Sequence, residues 1–320
     1  MKFSITIPAY KAKFLKECID SILAQSYKDF ELIIVNDASP ENLDSIVKQY
    51  SDSRIRYYVN EKNCGAINVV DNWNKCLQYA KGDFIICMGD DDKLKLNCLE
   101  EYVKLINKYP DLGVYHAWTE IIDEKSDFYK FQQPRPEWEG CLSLIYNRWK
   151  GRSQYIGDFC FDTYKLRQDG GFYKLPLAWA SDDITAARAA RYGGIANTQV
   201  PCFQYRENRM SISSSGNIDV KIDACIQERE WYIKFLEECA ERIKNDDGIE
   251  NKYYSLIQSE LDIHIQRNIR SGITDALIHN PFKVFTYMQR KRTYHLSSKQ
   301  ISICLALAIG NRLRLTNKKL

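Results

Sequence analysis

The stretch Asp83 to Lys93, D-F-I-I-C-M-G-D-D-D-K, carries a short apolar run through one glycine into three consecutive carboxylates, Asp90, Asp91 and Asp92. Such a run, bounded by turn residues, predicts a buried strand, and the acids fall where that strand ends. Adjacent like charges repel and burial raises carboxyl pKa values further, so a cation is the natural reason to hold the three together. Hard oxygen ligands suit Mg2+ or Mn2+. An ion held by only one or two carboxylates keeps positions for phosphate oxygens, which points to a nucleotide diphosphate as the shared ligand. The alternative is a solvated acidic turn at the N-terminus of a helix beginning near Leu94, where acids are also favoured.

Outward from this strand, the first 115 residues alternate short apolar runs with longer mixed segments, the pattern of a parallel sheet crossed by helices. Strands are predicted over Phe3 to Pro8, Phe30 to Asn36, Arg54 to Val59, Phe84 to Met88 and Leu112 to Trp118, and helices over 12–25, 41–50, 66–80 and 94–108. The expected fold class is α/β, an open, doubly wound, mostly parallel sheet. In such sheets ligands bind beyond the carboxyl ends of the strands. Pro8, Asp37 and the Asp90 to Asp92 run all fall there. Residues 119–155 read as an irregular, mobile insert around a helix at Leu142 to Asn147. Order returns at Tyr155 to Phe161 and a short strand follows near Ile195 to Val200, with the acidic pair Asp182 and Asp183 opening a helix between them. The polar segment Ser211 to Asn217 reads as a linker, giving a catalytic domain over 1–215 and a helical region over 216–320.

Composition is that of a soluble globular chain, 45% hydrophobic and 27% charged. No run of about 18 apolar residues occurs and the start lacks the pattern of a signal peptide, so a cytoplasmic protein is expected. The eleven cysteines are scattered, odd in number and without a C-x-x-C pair, which reads as buried thiols. Four histidines, none at ligand spacing, argue against zinc. Nine cations and no acid follow Asp275. That basic block, with the apolar segment Ile301 to Ile309 between its charges, suits an anionic membrane surface, or else packs as an ordinary helix with solvated charges outside.

Six pieces, I-T-I-P-A-Y at 5–10, S-I-L-A-Q-S-Y at 21–27, E-L-I-I-V-N-D-A-S at 31–39, A-K-G-D-F-I at 80–85, G-D-D-D at 89–92 and S-D-D at 181–183, together resemble the family 2 glycosyltransferases in order and spacing. The likeness covers about the first 210 residues. It implies a GT-A fold and inverting transfer of a sugar from a nucleotide-diphosphate donor. By that resemblance Pro8, Ala9 and Tyr10 hold the nucleotide, with Tyr10 stacking on the base, and Asp37 accepts from the uracil imide, making a UDP-sugar the expected donor. Asn63, Gly65 and Asn74 match a motif that closes the nucleotide pocket. Trp73 stands where many members carry arginine, which leaves base preference open. Gly89 takes the position of the usual first aspartate of D-x-D, so Asp91 matches the principal ligand of Mn2+ or Mg2+, Asp92 a supporting acceptor, and Asp90 the residue facing ribose or sugar.

Inversion needs a base for the acceptor hydroxyl. Asp183 matches that role and Asp182 its neighbour in the family's acidic pair. Arg206 and Arg209 match an arm that folds over the diphosphate, with surface solvation as the alternative. Trp179 is either a wall for an acceptor sugar or a core residue. Capping offers a structural reading of two motifs: Asp37 in Asp-x-Ser-Pro, and Ser181 ahead of its acidic pair. The acceptor expected is a glycan or lipid-linked glycan, with no nucleic acid. The competing functions are a non-catalytic nucleotide-sugar-binding protein and a nucleic-acid protein using its basic tail. Nucleotidyl transfer and hydride transfer are disfavoured because A-Y-K-A follows the first strand where a glycine-rich loop would be required.

Overall fold

A computed structural model describes residues 1–208, 217–243 and 248–317. Arg209 and most of the Ser211 to Asn217 linker lie outside the described residues. The chain divides into two compact units, one of Met1–Lys174 with Ala180–Ser211, the other of Leu175–Trp179 with Ile212–Leu320.

In chain order the first unit contains β1 (Phe3–Ala9), α1 (Leu15–Leu23), β2 (Phe30–Asn36), α2 (Leu43–Val47), β3 (Ile55–Val59), α3 (Val69–Tyr79), β4 (Phe84–Cys87), β5 (Lys93–Leu94), α4 (Cys98–Lys108) and β6 (Val114–Ile122). There follow β7 (Phe128–Phe131), β8 (Trp138–Glu139), α5 (Cys141–Trp149), β9 (Phe159–Asp162), α6 (Thr163–Gln168), α7 (Ser181–Ala190) and β10 (Ile195–Arg206). The strands form one mixed, mostly parallel sheet in the order β3-β2-β1-β4-β9-β6-β10-β5, with β7 on β6 and β8 on β10. Four neighbouring strands, β3, β2, β1 and β4, run parallel, with Ile5 of β1 in register with Leu32 of β2 and Ile86 of β4. Every residue of β2 is buried, as expected of a parallel strand covered on both faces. Leu15, Cys18, Ile19 and Ile22 of α1 and Cys98, Leu99, Tyr102, Leu105 and Ile106 of α4 supply the covering layer.

Two expectations change. Residues 119–155 are not an irregular insert: β6 runs on to Ile122 and turns back as β7, its Glu120 facing Phe131, and β8 and α5 follow. The helix placed over 94–108 starts at Cys98 instead, because Lys93 and Leu94 pair antiparallel with Gln204 and Phe203 of β10. Asp90 to Asp92 are therefore not a helix cap but a turn between β4 and β5.

The second unit holds α8 (Ile218–Ile243), α9 (Ile249–His279), α10 (Val284–Gln289) and α11 (Ser298–Asn317). Ile257, Leu261, Ile265, Ile269 and Ile273 recur every four residues as the buried stripe of α9. The helical region expected over 216–320 takes this form.

Candidate active site

β1 and β2 end side by side, with Ala9 opposite Asn36. Asp37 follows, its N–H donating to the Ala9 carbonyl at 2.9 Å. The buried Asp37 carboxylate accepts from Asn60 Nδ2 at 2.7 Å and from the Cys64 N–H at 3.0 Å, and the Asp37 carbonyl accepts from Asn63 Nδ2 at 2.6 Å. None of these donors belongs to a helix start. The cap of α2 is Asn42, which accepts from the Ser45 N–H at 3.1 Å. The capping reading of Asp37 therefore falls. Burial, and next the Asp37 carboxylate, push the Cys64 thiol up to about 11. Gly65 has a positive φ of 76° and turns the chain into the 3₁₀ segment Ala66–Asn68.

Pro8 and Ala9 lie in β1, and Tyr10 leaves the sheet and is 42% exposed. The Tyr10 and Lys11 N–H groups both donate to Asp90 Oδ2 at 2.7 Å, while the Tyr10 carbonyl accepts from Ser39 Oγ at 2.5 Å. Asp90 thus fastens the end of β1 to the acidic turn, and Ser39 fastens it to the loop after β2.

Asn74 is not brought to this cluster. Its Nδ2 donates to the Phe172 carbonyl at 3.0 Å and its Oδ1 accepts from the Phe172 N–H at 2.8 Å, so it braces α3 against the turn after α6. Asn72, two residues earlier and buried, is the residue of α3 that reaches the cluster, accepting from Asn60 at 3.0 Å and donating to the Val35 carbonyl at 3.2 Å. Trp73 packs edge-on against Phe172 at 5.9 Å. It is a core residue and offers no substitute for a cation.

In the acidic turn, Asp92 Oδ1 accepts from the Arg206 N–H at 3.0 Å and Asp91 Oδ2 from Asn208 Nδ2 at 2.7 Å. The surface reading of Arg206 is overturned. Only 1% exposed, it donates to the carbonyls of Asp91 (2.8 Å) and Asp123 (3.0 Å), pairs with Glu17 Oε2 at 2.9 Å and lies over the Phe14 ring at 4.2 Å. Burial, then the neighbouring Asp91 charge, lifts Asp90 to about 6 and moves Asp92 upward as well.

Asp182 and Asp183 lie in the first turn of α7, after Ala180, whose left-handed φ of 56° makes it the N-cap. Ser181 is the first residue of the helix and not its N-cap, so the capping reading of Ser181 falls too. Asp183 Oδ1 accepts from Arg148 Nε and Gln154 Nε2, each at 2.7 Å. Burial, and next Asp183 itself, push Asp182 up to about 8. Trp179, in the second unit, is half-buried and carries the Lys221 ammonium over its ring at 5.7 Å.

Contacts join these groups in a continuous path. Asn63 and Asn60 hold Asp37; Ser39 leads from that loop to Tyr10, and Tyr10 to Asp90. From the other side of the acidic turn, Arg206 follows Tyr205, whose ring stacks on Tyr155 at 3.6 Å and 8°, and the residue before Tyr155 is Gln154, which holds Asp183. Asn60, Asn72, Glu17, Arg148, Gln154 and Asn208 were missed from sequence. Asn60 carried a signal, since it follows β3 as Asp37 follows β2.

The residues present fit a divalent ion of one particular kind. A Cβ at Gly89 would stand 2.7 Å from Asp91 Oδ1 and 3.0 Å from Asp92 Oδ2, so both carboxylates reach back over a bare backbone position. Among the described residues no group of three or more His, Cys, Asp or Glu is placed to hold a metal together. Two hard oxygen donors without a third suit Mg2+ or Mn2+, which complete their shells with phosphate and water.

The model of glycosyl transferase family 2 matches residues 4–167, just over half the chain, and the chain belongs to that family. Among its relatives is the Escherichia coli UDP-Glc:alpha-D-GlcNAc-diphosphoundecaprenol beta-1,3-glucosyltransferase WfgD, 29% identical over 75% of this chain and 88% of that protein. Glycosyltransferase GlyA of Streptococcus pneumoniae is 28% identical over 97% of this chain and 44% of its own length. An uncharacterized Rickettsia typhi glycosyltransferase is 34% identical over 41% of this chain, and the match spans only 40% of that relative. Staphylococcus aureus TarS 1-349, solved with UDP-GlcNAc, shares the GT-A fold at a TM-score of 0.64 and 16% identity, over 98% of this chain and 92% of that one.

Proposed function

We propose that this chain transfers a sugar from a UDP-sugar to a glycan or lipid-linked glycan, with inversion at the anomeric carbon and the help of a divalent ion. The observation that carries the reading is the contact path from Asp37 through Tyr10 and the Asp90 to Asp92 turn to Asp183, all within one compact unit. WfgD, which by its name takes UDP-Glc to a diphosphoundecaprenol-linked sugar, supports the donor and the acceptor class. The Pyrobaculum calidifontis mannosyltransferase PcManGT, 16% identical with a TM-score of 0.51, was solved with GDP-Man and Mn2+, a precedent for a metal in this fold. None of the eleven cysteines is in a disulfide, which fits a reaction on the reducing, cytoplasmic side.

In this reading Tyr10 stacks its exposed ring on the base and Asp37 accepts the uracil N3–H, a donor that cytosine lacks. Asn63 and Gly65 shape the loop beside it. Asp91 and Asp92 would hold Mg2+ or Mn2+, which as a Lewis acid offsets the charge of the departing diphosphate. Asp183 takes the proton of the acceptor hydroxyl as its oxygen attacks the anomeric carbon and the bond to the diphosphate oxygen breaks on the opposite face. Arg148 and Gln154 fix the orientation of that carboxylate. Burial, and next the Asp183 charge, hold the Asp182 carboxyl well above the usual carboxylate range, up to about 8.

Thermal shift with a panel of UDP-, GDP- and dTDP-sugars, each with and without Mn2+, tests the donor assignment. UDP-sugars should stabilise the protein most, and only with the metal. Equal stabilisation by all three bases, or none from UDP-sugars, would reject it.

A further inference from the structure

A helix of a globular protein ordinarily buries one face and turns polar groups to water. α11 does not. Its Ile301, Cys304 and Ala308 are buried, Cys304 Sγ lying 3.6 Å from the Arg270 carbonyl of α9 and Gln300 Nε2 donating to Gln266 Oε1 at 3.1 Å. The opposite face repeats at helical spacing as Ile303, Ala306, Leu307, Gly310 and Leu313, all exposed, with Leu307 at 55% and Leu313 at 60%. Lys299 and Arg314, also exposed, fall on that same outward face at its two ends. Beside α11, the short helical stretch from Pro281 leaves Phe282 79% and Phe285 69% exposed.

The segment that carries this apolar face has cations and no acid of its own. Lys283 and Arg290 are matched within the unit by Asp219 and Asp223, both at 2.6 Å. Arg292, Lys299 and Arg314 remain exposed in a segment that contains no acid after Asp275. A second copy seated symmetrically on the same face would oppose cation to cation. A nucleic acid would use the cations but leave Ile303, Leu307 and Leu313 without a role. No described helix is long and apolar enough to cross a membrane.

We infer that the outward face of α11, with Phe282 and Phe285, is a docking surface for an anionic lipid bilayer, lying in the headgroup plane with its apolar stripe inward and Lys299 and Arg314 on the lipid phosphates. The inference stands apart from the transfer reaction, since none of these residues belongs to the unit that carries Asp91 and Asp183. It is tested by flotating the full chain with vesicles of phosphatidylglycerol and phosphatidylcholine, and with phosphatidylcholine alone. Flotation is expected only with the anionic vesicles, weakening as salt is raised. It should drop at least tenfold in Phe285→Ser/Leu307→Ser and in Lys299→Gln/Arg314→Gln. Should the apolar double variant fold poorly, Phe285→Trp gives an independent reading, as its emission should shift to the blue on adding anionic vesicles, beyond any change in the unaltered protein. Equal recovery with both lipids, no flotation, or an unshifted Phe285→Trp overturns the proposal. So does a light-scattering oligomer of the unaltered chain that Leu307→Ser converts to monomer, because the face would then cover a second copy.

Discussion

Asp182 and Asp183 are sequence neighbours with different surroundings. Asp183 has two charge-assisted or amide donors on Oδ1, whereas Asp182 is lifted to about 8 by burial first and its neighbour's charge second. The consequence for stability has a definite sign. An unfolded aspartate ionises near 4, so between about pH 4 and 8 the native state binds the extra proton, and stability falls as pH rises through that window. Asp182→Asn cannot ionise and should gain on the unaltered protein across it, by on the order of 1 kcal/mol once screening of the partly exposed group is allowed for. Melting curves at pH 5 and pH 8.5 check this; a difference between the two proteins that shrinks as pH rises would contradict it. For Arg148→Met, with the base reading of Asp183, kcat should drop about 10 to 100-fold with little change in donor KM, since only the orientation of the base is lost. A rise in donor KM alone would assign Arg148 to binding.

At the scale of elements, the turn between β4 and β5 depends on two features. Gly89 must have no Cβ, and Arg206 of β10 must lie beneath the turn. Gly89→Ala would push Asp91 Oδ1 or Asp92 Oδ2 aside, and it should weaken Mn2+-dependent donor binding at least tenfold while leaving the melting temperature nearly unchanged, which calorimetric titration and melting together check. Arg206→Met removes a buried cation from four partners and should cost about 2–4 kcal/mol, less than a wholly buried pair because Glu17 is 46% exposed. Denaturant unfolding measures it. The acid run itself was legible, because an apolar strand leading into consecutive carboxylates has few explanations. Arg206 was not: its position comes from β10 extending past Pro201, and an arginine before a polar segment reads from sequence as surface. Asn74 misled for a related reason. A motif match does not tell which of two asparagines two residues apart turns toward the sheet edge, and hydrogen bonding to Phe172 decided it.

Over the whole chain, β3, β2, β1 and β4 were readable because parallel strands buried on both faces leave unbroken apolar runs, and the long helices of the second unit because their buried stripe recurs at helical period. The antiparallel insertion of β9 between β4 and β6 was not readable, since the direction of a four-residue strand is set by its neighbours rather than by its own residues. Arg148 and Gln154 sit in the region that looked irregular, so the partners of Asp183 gave no signal. The central claim is that Asp37, Asp91 and Asp183 serve one bound donor in distinct roles. Isothermal titration of UDP in the presence of Mn2+ tests it most directly, on the unaltered protein and on Asp37→Asn, Asp91→Asn and Asp183→Asn. The expected result is that Asp183→Asn binds UDP as the unaltered protein does while its sugar transfer is abolished, and that Asp37→Asn and Asp91→Asn each lose at least tenfold in affinity. Undiminished binding by Asp91→Asn, or full transfer by Asp183→Asn, would contradict the account.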